Sequence, residues 1–287
     1  MKNILLFLLF LIPFSFNSYA TIEIDITEGN REPLPIAITN FFHDGNEKIT
    51  NTDLPSKIRG VIQNDLESTG LFNSIDEKAF IQENKSLHLK PRFADWRLIN
   101  SQGLVTGDLK IEDDRLKVEF RLWDTLAEKE IEGLVLITTP DNWRRISHMI
   151  ADKIYERLTG EEGYFDTRIV YVAEEGPKNN RVKKLAIMDQ DGANHKFLAS
   201  GKELVLTPRF NPVRQEITYL SYFKNLPRVY LLNIQTGIQE VVGDFPGMTF
   251  APRFSPDGNK IIMSLAREGN SDIYVMNLNS RVVERLT

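Results

Sequence analysis

The sequence predicts two folded parts in tandem, an α+β N-terminal domain and behind it an incomplete β-propeller of about three blades. Three observations carry this reading. As far as Thr159, two stretches place apolar residues at helical spacing among runs that alternate like strands. Beyond Gly163 the helical period disappears. The phrase Pro208-Arg-Phe-Asn-Pro212 then returns 44 residues later as Pro252-Arg-Phe-Ser-Pro256, a spacing at which four-stranded propeller blades repeat. The expected division is an export signal over 1–20, an α/β domain over 21–162 and a partial propeller over 163–287.

The first twenty residues stand outside both folds. Met1 to Asn3 is a short cationic start, Ile4 to Phe14 an apolar run, and Ser18 and Ala20 are the small residues a signal peptidase reads. An apolar run this short fits a secretory signal and cannot span a bilayer. Cleavage after Ala20 is expected to release a chain beginning at Thr21, outside the inner membrane and with no direct membrane span. The chain contains no cysteine, which excludes disulfides, thiol chemistry and a lipid-modified cysteine, so apolar burial alone must hold the domains. A net charge of −5, with acids and bases interspersed, gives no stripe for nucleic acid.

Within the first domain, Thr21-Ile-Glu-Ile-Asp-Ile-Thr27 alternates with period two and predicts a half-buried strand. Leu34 to Phe42 is a second, more buried apolar run. Asn51 to Gly70 reads as a helix, with Pro55 in its first turn, Leu54, Ile58, Val61, Ile62 and Leu66 in one stripe, and Gly70 at its end. A short helix over Ala94–Ile99 leads into three strands at meander spacing, Leu104–Ile111, Leu116–Trp123 and Glu130–Thr138. Pro140-Asp141 opens a second long helix that carries Trp143, Ile146, Ile150, Ile154 and Leu158 on one face and stops at Gly160. Two amphipathic helices on one mixed sheet make a compact α/β domain.

In the repeat region, the step of 44 pairs Phe210 with Phe254, Ile217 with Ile261, Tyr230 with Tyr274 and Asn233 with Asn277. One step back it pairs Leu185 with Val229, and it aligns Leu198, Val242 and Leu286. Phe210 and Phe254 are expected between successive sheets. Ser255-Pro-Asp-Gly258 is a tight turn in which glycine supplies positive φ. The earlier copy has Val213-Arg214 in place of Asp-Gly and is degenerate.

The phrase from Pro252 through Asp257-Gly258, the strand run Asp272-Ile-Tyr-Val-Met-Asn-Leu278 and the closing Arg285-Leu-Thr287 resemble the PD40 (WD40-like) repeat. The start Ile22-Glu-Ile-Asp-Ile-Thr27, Pro35-Ile-Ala-Ile38 with Phe41 behind it, Tyr155-Glu-Arg-Leu-Thr-Gly160 and Thr167-Arg-Ile-Val-Tyr-Val172 extend the likeness over the mature chain. Together they resemble the TolB family of the Tol–Pal system. That resemblance implies a ring of six blades, of which about three are expected here, as three strands, then four, then four. The expectation is a C-terminally truncated chain, or a ring that a second polypeptide completes.

No catalytic site, metal site or cofactor is expected. PD40 propellers also precede serine peptidases, so the alternative is the propeller portion of an exported hydrolase whose catalytic domain is absent. The G-x-S-x-G elbow of such an enzyme does not occur. His43, His88, His148 and His195 lack metal-ligand spacing, and His148 reads as a surface or satisfied residue. Asp189-Gln-Asp191-Gly192 resembles the start of a calcium loop, but Ser200 stands where the bidentate Glu belongs, so it reads as a turn. What remains is binding. The resemblance implies that one propeller face takes the outer-membrane lipoprotein Pal, and the loop into the repeated strand offers Met248, Thr249, Phe250 and Ala251 for it. It also implies that the mature N-terminus, Thr21, Ile22, Glu23, Ile24, Asp25, Ile26 and Thr27, engages the inner-membrane protein TolA, by adding a strand to its partner or by exchange with a docked state.

Overall fold

A computed structural model describes residues 22–25, 32–43, 53–82, 89–199, 203–223, 226–242, 245 and 248–287. The export segment, Thr21, Ile26, Thr27 and the side chain of Met248 lie outside the described residues. The chain forms two compact units, divided after Asp166.

The first unit is a five-stranded mixed sheet with helices. Its elements are β1 (Leu34–Ile38), α1 (Leu54–Ser68), β2 (Phe72–Ser74), α2 (Phe93–Leu98), β3 (Gly103–Glu112), β4 (Arg115–Asp124), β5 (Lys129–Thr138) and α3 (Trp143–Thr159). The strand order is β2-β1-β3-β4-β5. Strand β1 runs parallel to both neighbours, and β3 to β5 form the antiparallel meander that their spacing predicts. Gly70 and Gly160 stop the long helices with φ of 72° and 75°, a left-handed turn that glycine enters without a Cβ clash.

One core fills the space between sheet and long helices. Ile36 and Ile38 of β1, Ile58 and Ile62 of α1, Val118 and Phe120 of β4, and Ile150 and Ile154 of α3 meet there. On the opposite face Ala37, Leu104 and Trp123 receive Phe93 and Trp96 of α2. The buried indoles keep their hydrogen bonds, Trp96 Nε1 to Gln82 Oε1 at 3.1 Å and Trp123 Nε1 to Thr106 Oγ1 at 3.0 Å. His148 Nδ1 lies 2.6 Å from Asp65 Oδ2 between α3 and α1, both side chains being buried. Its Nδ1 is thereby paired within the core.

The expected strand at the mature N-terminus takes another form. Its described residues, Ile22 to Asp25, join no sheet. The Ile22 N–H donates to Asp124 Oδ2 at 2.9 Å and the Ile24 N–H to the Leu158 carbonyl at 2.6 Å. Ile22 and Ile24 pack on the core while Glu23 and Asp25 are exposed. The alternation therefore holds, but the acceptors come from a carboxylate and a helix end instead of a neighbouring strand.

The second unit contains three antiparallel sheets of three, four and four strands. They are β6 (Arg168–Glu175), β7 (Val182–Asp189) and β8 (Lys196–Phe197); β9 (Val205–Phe210), β10 (Glu216–Ser221), β11 (Arg228–Asn233) and β12 (Gln239–Val241); β13 (Met248–Phe254), β14 (Lys260–Arg267), β15 (Asn270–Asn277) and β16 (Val283–Arg285). Leu185, Ile217, Tyr219 and Leu232, with Phe210 against them, form a core between the first and second sheets. Val229, Ile261, Met263 and Met276, with Phe254, form its equivalent between the second and third, each member one step of 44 along. The same step relates three backbone bonds, Leu198 to Leu185, Val242 to Val229 and Leu286 to Ile273, each 2.8 Å from N to O. The sheets form an open array of propeller blades.

The degenerate turn has its own chemistry. Asn211 Oδ1 accepts the N–H groups of Val213 and Arg214 at 3.0 and 3.1 Å. Asn211 Nδ2 and Arg214 Nη2 then donate to the Gly258 carbonyl of the next sheet, at 3.1 and 2.5 Å. Gly258 has φ of 68°, and a Cβ there would lie 2.3 Å from Asn211 Oδ1, so only glycine fits. The degenerate turn thus links its own sheet to the next through Asn211 and Arg214.

Candidate functional site

Two surfaces correspond to the binding stretches expected from the sequence. The first is the start of β13. Thr249 is 4% exposed, and its Oγ1 accepts the Val229 N–H at 3.1 Å, joining the third sheet to the second. Phe250 is half-buried and opposite Ser264; Ala251 is exposed, with φ of 48°, in a bulge between Phe250 and Arg253. Phe245 packs beside the Val229 core, and its carbonyl accepts Arg228 Nη1 at 3.1 Å. Of the stretch, then, Thr249 is internal, and Phe250 and Ala251 reach the surface.

Sequence reasoning missed an element of this rim. The residue 44 before Met248 is Leu204, which is 40% exposed. Tyr222 N–H donates to its carbonyl at 2.9 Å, holding it at the head of β9. Thr207, the equivalent of Ala251, is also exposed with φ of 48°. The repeat itself was the signal that could have found both.

The second surface is the cleft that holds Ile22–Asp25. Asp124 is 1% exposed. Its Oδ1 accepts the N–H groups of Leu126 and Ala127, each at 2.9 Å, while Oδ2 receives Ile22. A buried carboxylate with three N–H donors is well satisfied. The Leu158 carbonyl belongs to the last turn of α3, where helical partners run out, so Ile24 caps that helix end.

Other polar groups serve the fold. Burial raises the Asp152 carboxyl above the ordinary range, although it accepts the Phe165 and Asp166 N–H groups at 2.6 and 3.1 Å. Asp191 Oδ1 accepts the Ala193 N–H at 3.0 Å within the turn after β7.

Comparison with known proteins assigns both units. Residues 22–131 match the TolB amino-terminal domain, and residues 155–287 match PD40, the TolB beta propeller domain. The chain belongs to the TolB family. It is 61% identical over 252 residues to the Tol-Pal system protein TolB of Pelagibacter ubique, an alignment covering 86% of this chain and 56% of that protein. The crystal structure of TolB from Acinetobacter baumannii matches with a TM-score of 0.74 and 29% identity, covering 93% of this chain and 63% of that one. The TolB-family chain thus spans about half the length of the curated relative it matches. Among the described residues no helix is long and apolar enough to cross a membrane.

Proposed function

We propose that this TolB-family chain is a non-catalytic periplasmic adaptor of the Tol–Pal envelope system, exported with cleavage after Ala20. Its working parts are an α/β domain over 21–162 and a propeller portion over 163–287. The propeller portion binds a Pal-like outer-membrane lipoprotein, and the mature N-terminus binds a TolA-like inner-membrane protein. The linkage supports outer-membrane integrity and constriction during cell division. The observation that carries this reading is the 61% identity to a Tol-Pal system protein across 86% of the chain.

The geometry supports the division of labour. At the rim, Leu204, Phe250 and Ala251 present apolar surface beside the ends of β9 and β13, the kind of anchor that protein interfaces favour. Met248 belongs to the same stretch. At the N-terminus, residues 21–27 alternate apolar and polar, and the described part is held by two backbone bonds. A partner's sheet edge supplies the segment with equivalent bonds by strand addition, while release takes one donor each from Asp124 Oδ2 and the Leu158 carbonyl.

The test is retention of the mature chain on immobilised Pal-like lipoprotein and on the periplasmic part of a TolA-like protein. Both are expected to retain it. Ala251→Asp weakens the lipoprotein arm about tenfold by burying a charge, whereas deletion of residues 21–27 abolishes the other arm alone. A folded chain that neither partner retains, and that hydrolyses a peptide panel, would falsify the adaptor.

A further inference from the structure

The first unit contains a cavity beside the docked N-terminal segment. Its volume is about 460 Å³, and its walls include Glu23 and Ile24 of the N-terminal segment, Glu132 of β5, and Lys153, Glu156 and Arg157 of α3. Cavities of roughly 300–1,000 Å³ hold small ligands. The charges are not mutually spent. Lys153 Nζ and Glu156 Oε2 pair at 2.6 Å and largely cancel. Arg157 Nε donates to the Ile131 carbonyl at 3.0 Å. Glu132 Oε1 accepts the adjacent Gly133 N–H at 3.1 Å. Glu23 and Glu132 thus line the same cavity as the Arg157 guanidinium, and the charge of Glu132 also acts on Lys153. The site also lies at the C-terminal end of α3, where the helix dipole adds negative potential.

The complement of that pattern carries one carboxylate and two ammonium groups. We propose that the cavity binds a free diamino acid of the lysine type, with its carboxylate on Arg157 and its two ammonium groups on Glu23 and Glu132. Because Glu23 and Ile24 form one wall, occupancy favours the docked N-terminal segment over a released one, and by linkage a partner that releases the segment weakens the ligand. This last coupling rests on the adaptor reading; the binding itself rests only on the docked segment.

The experiment titrates the isotope-labelled mature chain with L-lysine and follows backbone amide shifts. Ile24 and Gly160 are expected to shift saturably. Cadaverine, without the carboxylate, and norleucine, without the second amine, bind about tenfold more weakly or worse, as for loss of a charge-assisted pair. Glu132→Gln weakens L-lysine about tenfold, and Glu23→Gln, at an exposed position that leaves the fold intact, does the same. Gly-Gly-Lys, in which the lysine α-nitrogen is a neutral amide, is expected to bind about tenfold more weakly, and binding as tight as that of L-lysine would overturn the pairing of both ammonium groups. Absent shifts, cadaverine as tight as L-lysine, or both variants binding like the parent would each overturn the proposal. Partner retention measured without L-lysine tests the adaptor reading separately.

Discussion

Asp152 shows how one side chain can finish a domain. It projects from α3 and takes the N–H groups of Phe165 and Asp166 on its two oxygens. Phe165 is fully buried in the main core. Gly163 has to pass so close that a Cβ would lie 2.5 Å from the Asp152 Cα, which leaves glycine alone at that position. Burial is the chief cause of the raised pKa, the two N–H groups oppose it, and the charges of Asp166 and Asp65 add to it. A raised folded-state pKa means that the folded chain binds the proton more tightly than the unfolded one. The associated stability is full below the unfolded value of about 3.9 and is lost as pH rises through the folded value. Asp152→Asn keeps an acceptor for Phe165 and removes the titration. The stability of the native chain relative to this variant should therefore rise as pH falls from neutral into the acid range. Urea unfolding followed by tryptophan fluorescence across that range checks it, and a constant difference would show that burial does not tax the carboxylate.

At the scale of elements, what was legible in the sequence is what local chemistry decides. Pro55 and Gly70 bracket α1, Gly160 closes α3, and the step of 44 set the register of three sheets because each sheet is a meander of near neighbours. Long-range choices were not legible. His148 finds Asp65 on another helix 83 residues away, and Ile22 finds Asp124 102 residues away, with no local pattern to mark either. The hydrogen bond of Thr249 was equally hidden, since the equivalent residue, Val205, is buried too but has no hydroxyl. Nor did the sequence announce the bulges that put Thr207 and Ala251 at φ of 48°, each directly before a proline. That conformation costs an ordinary residue roughly 1–2 kcal/mol, and a β-branched one more readily. Both side chains are exposed, so glycine loses little packing there. After glycine's larger unfolded entropy is counted, Thr207→Gly should stabilise the second unit by about 1 kcal/mol, with a somewhat smaller gain for Ala251→Gly. Denaturant midpoints of the far-ultraviolet signal test this; destabilisation by both changes would mean that the bulge is not left-handed.

Over the whole molecule the two units are held very differently. The first closes its apolar core within a single domain, under two long helices. The second builds its cores between successive sheets, and its outer sheet faces carry the same residues unsealed. Val242 is fully buried between the second and third sheets, whereas Leu286, one step further on, is 52% exposed. Ile262 on the same outer face is 39% exposed. Burying a leucine or isoleucine side chain contributes about 1.5–3 kcal/mol, so each open position forgoes a large share of a marginal total. The mature chain is therefore expected to unfold in two steps, the second unit first. The tryptophans separate the steps, because Trp96, Trp123 and Trp143 all lie in the first unit. Far-ultraviolet circular dichroism should lose sheet signal at a denaturant concentration where tryptophan fluorescence is still native, and a dye for exposed apolar surface should bind already in the absence of denaturant. Coincident transitions by the two probes would show that the open sheets are as stable as the closed domain, and that blade packing does not limit this chain.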